Sequence, residues 1–229
     1  MPAAAIEARD VGRRYGRRWA LARLDLIVPE GSFFLLVGAN GSGKTTFLRL
    51  AASAEQRNRG ELAVFGQDPA RRAENLRAHV ALLSHKAGLY EDLSARENLE
   101  LLAGLASMEP RIAEWLAAVQ LEDRPDPVRC FSAGMRKRLA FARLIAQRPR
   151  LALIDEPYGQ LDPVGFDLVD GLMHTLRDQG ATVVIASHLV ERASRQADTA
   201  LVLHQGTPRW QGPARKVPAA WAAVHRVPA

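Results

Sequence analysis

The chain has 229 residues, 48% of them hydrophobic and 24% charged, a composition that suits one large α/β domain or a domain with an inserted subdomain and excludes a disordered or low-complexity chain. Its 31 Lys and Arg against 25 Asp and Glu give a formal charge of +6, spread over short clusters such as Arg13-Arg14, Arg17-Arg18 and Arg71-Arg72, so a solvated basic surface is expected and nucleic acid is not an expected partner. Cys130 is the only cysteine, which excludes an intrachain disulfide, and neither a basic leader with an apolar run nor an eighteen-residue apolar stretch occurs, so work at a membrane would need other chains to cross it.

In chain order, the alternation over Ile6 to Val11 and Leu21 to Val28 predicts antiparallel strands flanking a core. Ser32 to Val37, Leu151 to Ile154, Thr182 to Ala186 and Ala200 to Leu203 are short runs apolar on both faces, as central strands of a parallel sheet must be. The first three are followed by helix-compatible segments, Lys44 to Ala54, Val164 to Gln179 and Val190 to Ala197, which together make a doubly wound α/β plan. Between about His85 and Pro149 the periods become helical. Ser94 and Glu97 form a capping box before Asn98 to Ala106, and a second amphipathic run covers Pro110 to Leu121. The Pro-rich piece Glu122 to Pro127 reads as the loop leading back. The tail after Gly206 says nothing about chemistry.

Gly38-Ala39-Asn40-Gly41-Ser42-Gly43-Lys44-Thr45 matches G-x-x-x-x-G-K-S/T between an apolar strand and a plausible helix that begins with Thr46. Its glycines let backbone amides converge on phosphates, Lys44 adds a positive charge, and the Thr45 hydroxyl can ligate Mg²⁺. The run Leu151 to Ile154 ends in Asp155 and Glu156, placed beyond a strand's carboxyl end where ligands bind in open α/β sheets. Asp155 would hold Mg²⁺, and Glu156 could take a proton from an attacking water. Ser187-His188 ends the next strand in the same way, and its imidazole can hydrogen-bond a γ-phosphate. Tyr15 is either a stacking partner for an adenine face or a partly buried core tyrosine.

The stretch FSAGMRKR, Phe131 to Arg138, opens a helix expected over Met135 to Gln147. Ser132 is a good N-cap, and Ala133 with Gly134 leaves the first amides open to an anion. The plainer alternative is a capped helix with a solvated basic face at Arg136, Lys137 and Arg138.

The order of these motifs resembles the nucleotide-binding subunit of an ATP-binding cassette (ABC) transporter over nearly the whole chain, from Tyr15 to about Gly206. The resemblance implies a P-loop NTPase of the ABC-ATPase fold, an α/β RecA-like core with an antiparallel β flank (1–85 and 150–229) and an inserted helical signature subdomain (86–149). It implies that Tyr15 is the A-loop aromatic, Gly38 through Thr46 the Walker A loop, His85 the Q-loop position, and Ser132, Ala133, Gly134 and Met135 the signature. It further implies that Asp155 and Glu156 end the Walker B strand, that Asp162 belongs to the D-loop and that His188 is the switch histidine. The expected ligands are ATP and Mg²⁺, with Glu156, His188 and Lys44 catalytic and Thr45 and Asp155 on the metal.

The resemblance also implies a head-to-tail pair in which one chain's signature caps the γ-phosphate held by the other, bound to separate integral-membrane subunits on the cytoplasmic face of the cell membrane. Three departures stand out: Ala133 and Met135 in the signature, His85 where Gln is usual, and Gly159-Gln160 before Leu161-Asp162. The short length, His85 and the wording of FSAGMRKR and DEPYGQLDP are most similar to the haem-exporter ATPases of cytochrome c maturation.

Overall fold

The computed structural model describes residues 3–84 and 88–226. Two sheets form its framework. The smaller is antiparallel, with β1 (Ala4–Tyr15) between β2 (Arg18–Pro29) and β4 (Arg59–Val64). The larger has the order β5-β6-β7-β3-β8-β9, built from β3 (Phe33–Gly38), β5 (Val80–Leu83), β6 (Leu151–Asp155), β7 (Thr182–Ser187), β8 (Thr199–His204) and β9 (Thr207–Pro213). All of its pairings are parallel except that of β9 with β8.

Every residue of β3, β6 and β7 is buried, as expected of strands covered on both faces. Their period-2 alternation divides two cores. Phe34, Leu36, Leu153, Val184 and Ala186 face the antiparallel sheet and α1 (Lys44–Ala51). Phe33, Leu35, Val37, Ile154, Val183 and Ile185 face the opposite way, into a core with α3 (Ala95–Leu105), α4 (Ile112–Ala118), α5 (Ala133–Ala146) and α6 (Pro163–Asp178). Phe33 and Phe34 are fully enclosed on opposite faces, each contributing about 2–3 kcal/mol through burial.

The capping box forms as expected: the Glu97 amide donates to Ser94 Oγ at 3.2 Å, and the Ser94 amide donates to Glu97 Oε2 at 2.7 Å. Helix α1 stops at Ala51, short of the expected Ala54, because Ser53 turns left-handed at φ 58°.

Five elements have no counterpart among the sequence expectations: β4, β5, β9, α2 (Ala73–Arg77) and α8 (Val217–Arg226). β5 is only four residues long, β4 is polar at its outer end, and β9 carries Pro208 and Pro213, which an edge strand tolerates because its outward amides bond no neighbour. α7 (Val190–Gln196) and two short 3-10 turns, Val128–Cys130 and Ala214–Lys216, complete the count among the described residues.

Two contacts weld the sheets together. The Ala22 amide donates to Gly206 O at 2.7 Å, and Gly43, at φ 106°, lies so close to β2 that a Cβ there would stand 2.4 Å from Ala20 O.

Candidate active site

Parallel register sets the site. Val37 pairs with Ser187 and Asp155 with Ala186, so Gly38, the Asp155-Glu156 pair and His188 leave the sheet along one edge. Beside it lies a cleft of about 450 Å³ lined by Tyr15, Arg18, Ala20, Asn40, the run Gly41 to Thr46, Asp155 and Glu156.

Lys44 is buried at the first turn of α1, where its Nζ donates to Gly38 O at 2.7 Å and lies 3.8 Å from Glu156 Oε1. Burial lowers its pKa, while Glu156 and Asp155 oppose that shift. The Thr45 hydroxyl donates to Asp155 Oδ2 at 2.7 Å. Asp155 Oδ1 and Ser42 Oγ are buried without a hydrogen-bond partner.

An acidic oxygen left unpaired beside a hydroxyl is the hard, all-oxygen donor set that suits Mg²⁺, so Thr45 and Asp155 fit that ion. Glu156 adopts φ 50°, rare for a residue with a side chain. Its amide donates to Ala186 O at 2.8 Å, and its Oε2 lies 2.8 Å from His188 Nδ1. The carboxylate accepts, so Nδ1 carries the proton and Nε2 is left for another partner.

Tyr15 is 43% exposed at the cleft rim, which removes the core-tyrosine alternative. Its hydroxyl donates to Glu55, and the Arg13 guanidinium lies 4.8 Å from the ring centroid. Arg18 and Ala20 also line the cleft and were not singled out in the sequence; the cue was the hairpin RRYGRRW, which carries Arg18 beside Tyr15.

The signature residues lie elsewhere. Ser132, Ala133 and Gly134 share a groove with Gln160, Leu161, Asp162, Val164 and Gly165. Helix α5 begins at Ala133, two residues before the expected start. Ser132 caps it by accepting the Met135 amide at 3.1 Å, and the Met135 side chain packs partly against the core. Of the early amides, those of Ala133 and Gly134 therefore remain for an anion.

Asp162 caps α6, accepting the Gly165 amide at 2.7 Å ahead of Pro163 at the first helical position. The plainer alternative, a solvated basic face at Arg136, Lys137 and Arg138, does not describe these side chains, each of which donates to a backbone carbonyl. Arg136 donates to Phe131 O at 2.8 Å, Lys137 to Glu156 O at 2.7 Å and Arg138 to Gln120 O at 3.0 Å. His85 lies outside the described residues.

A family model described as "ABC transporter" matches residues 21–159. The chain is 36% identical over 208 residues to the daunorubicin resistance ATP-binding protein DrrA3 of Streptomyces coeruleorubidus, covering 88% of this chain and 66% of that protein. It is 34% identical to the Nod factor export ATP-binding protein I of Cupriavidus metallidurans, covering 89% and 69%. It is 29% identical to the bacitracin transport ATP-binding protein BcrA of Bacillus licheniformis, covering 88% and 67%. The chain thus spans about two thirds of the length of these relatives.

Among solved structures, an ATP-binding subunit of an ABC transporter superposes with a TM-score of 0.85 at 25% identity, covering 95% of this chain and 93% of that one. The dimeric structure of MJ0796, a bacterial ABC transporter cassette, superposes at 0.81 with 26% identity, covering 92% and 99%.

Proposed function

The chain belongs to the ABC transporter family and has the fold of its ATPase cassette, and from that premise we propose that it hydrolyses ATP to ADP and phosphate to drive export by separate membrane subunits. The observation that carries the reading is the convergence of Lys44, Thr45, Asp155, Glu156 and His188 on one edge of the parallel sheet, beside a cleft rimmed by Tyr15.

In this reading Tyr15 stacks on the adenine, the amides of Gly41 to Thr46 and the Lys44 ammonium receive the β- and γ-phosphates, and Thr45 with Asp155 holds Mg²⁺, which supplies charge neutralisation on the phosphates. Glu156 accepts a proton from the attacking water. His188, held through Nδ1 by that same carboxylate, presents Nε2 toward the γ-phosphate and stabilises the charge that develops there.

The Ala133 and Gly134 amides lie in a groove away from this chain's own cleft. They cap the nucleotide of a second copy packed head to tail; that cassettes of this kind pair is supported by the dimeric relative MJ0796. No helix among the described residues is long and apolar enough to cross a membrane; the chain docks on membrane subunits from the cytoplasmic face, through its helical part. The cargo is set by those subunits. The relatives reported above are named for bacitracin, daunorubicin and Nod factors, and the haem-export likeness rests only on the short length, His85 and the wording of FSAGMRKR and DEPYGQLDP.

The test is Glu156→Gln. It should retain ATP binding, lose turnover by about 10²–10⁴-fold, and form a dimer at saturating Mg-ATP by light scattering. Full turnover in this variant, or a persistent monomer with membrane subunits supplied, refutes the reading.

A further inference from the structure

Lys137 sits on α5, five residues after the Ser132 cap, and its long side chain runs back across a groove to the loop after β6. There Nζ donates to Glu156 O at 2.7 Å. Glu156 is a non-glycine residue at φ 50°, a conformation that persists only where its surroundings hold it. Three bonds hold this one. Its amide is taken by Ala186 O, and its carbonyl accepts the Gly159 amide at 3.2 Å and the Lys137 ammonium. Lys137 is the only side chain among these partners, and it comes from the helix that begins with Ser132.

We propose that Lys137 is a positioning residue for Glu156, holding the Glu156 carbonyl so that its carboxylate stays between Lys44 and His188, and so joining each chain's general base to its own signature helix. The proposal rests on the reading of Glu156 as that base. Burial lowers the Lys137 pKa to about 8, with Asp155 and Glu156 opposing the shift. Burying the ammonium therefore carries a cost to folding at neutral pH.

The experiment compares Lys137→Met, Lys137→Gln and Lys137→Arg, each alone and combined with Glu156→Gln, in steady-state ATP hydrolysis, ATP binding and thermal unfolding. Lys137→Met should lower kcat by about 10–100-fold, the scale of a misplaced catalytic group, with KM and ATP affinity within about twofold and no fall in Tm. Lys137→Gln and Lys137→Arg, which keep an N–H donor, should recover part of the loss. In the Glu156→Gln background, Lys137→Met should change kcat by less than about twofold, because a residue acting through Glu156 has nothing left to position.

Unchanged kcat in Lys137→Met, or an equal loss in both backgrounds, overturns the proposal while leaving the ATPase reading intact. If Lys137→Met misfolds, the Gln and Arg variants decide by the same comparison. A wild-type chain without ATPase activity, or full turnover in Glu156→Gln, overturns the functional reading first.

Discussion

His188 Nδ1 stands 2.8 Å from Glu156 Oε2, while the other oxygen of the same carboxylate lies 3.8 Å from Lys44 Nζ. One acidic side chain thus links the ends of two strands to the phosphate loop. On the proposed reading His188→Ala removes the γ-phosphate partner and the imidazole bond to Oε2, leaving only the backbone amide of residue 188 at 3.4 Å, and should lower kcat by about 10²-fold with ATP affinity little changed. Combined with Glu156→Gln, the loss should fall well short of the product of the single effects, because the two residues act as a unit. Steady-state kinetics on the four proteins provides the check.

The Ser132 cap and Lys44 line different pockets of one chain, so if the proposed head-to-tail pair forms, a shared site can be rebuilt from two defective copies. Ser132→Arg and Lys44→Ala should each be inactive alone. Mixed in equal amounts, they should recover about a quarter of wild-type activity, since half the dimers are mixed and each holds one intact site. An ATPase assay of the mixture that shows no recovery would contradict the in-trans arrangement.

Tyr158, two residues beyond Glu156 and only 2% exposed, donates to Asp170 Oδ1 at 2.6 Å. The other oxygen of Asp170 accepts Arg192 Nη2 at 2.5 Å and Gln196 Nε2 at 3.0 Å. This cluster ties the loop after β6 to α6 and to α7, the helix behind His188. Burial, followed by Asp170, raises the Tyr158 pKa, so the phenol remains a donor at any working pH. Tyr158→Phe should cost about 1 kcal/mol, and Asp170→Ala about 2–3 kcal/mol, because it leaves the buried Tyr158 hydroxyl and the Gln196 amide without their acceptor, while Arg192 keeps Asp167. Urea unfolding measures both.

Arg57 holds Asp68 through paired bonds of 2.7 and 2.8 Å, and this lowers the Asp68 pKa to about 2 from 3.8. A carboxylate depressed in the folded state stabilises above its unfolded pKa and loses that contribution as pH falls through the folded one. Asp68→Asn should therefore be destabilised by about 1–2 kcal/mol at pH 7, after allowance for solvent screening. The difference from wild type should shrink between pH 4 and pH 2, as read by urea midpoints across pH.

The legible parts of the chain were those where one physical requirement dominates. β3, β6 and β7 are buried on both faces, so their sequences are apolar throughout, and the polar residues that end them, Asp155, Glu156 and His188, stand out against that background. The glycine spacing ahead of Lys44 was equally plain. β4, β5 and β9 are edge strands, short, polar or broken by proline, and share no such signature.

Long side chains hid the rest. Lys137 reads as one more cation in a basic run, since composition does not tell which way four methylenes turn. Tyr15 reads as ambiguous because the acceptor of its hydroxyl, Glu55, lies forty residues away in a different loop. Arg18 lacked any cue beyond its neighbourhood.

The weld between the sheets, made where Ala22 bonds Gly206 and Ala20 presses on Gly43, has a mechanical consequence. The hairpin carrying Tyr15 and the loop carrying Lys44 are splinted to a common beam, so on the proposed reading base and triphosphate would be gripped by one jaw. Any hinge that opens and shuts this machine must pivot outside that beam.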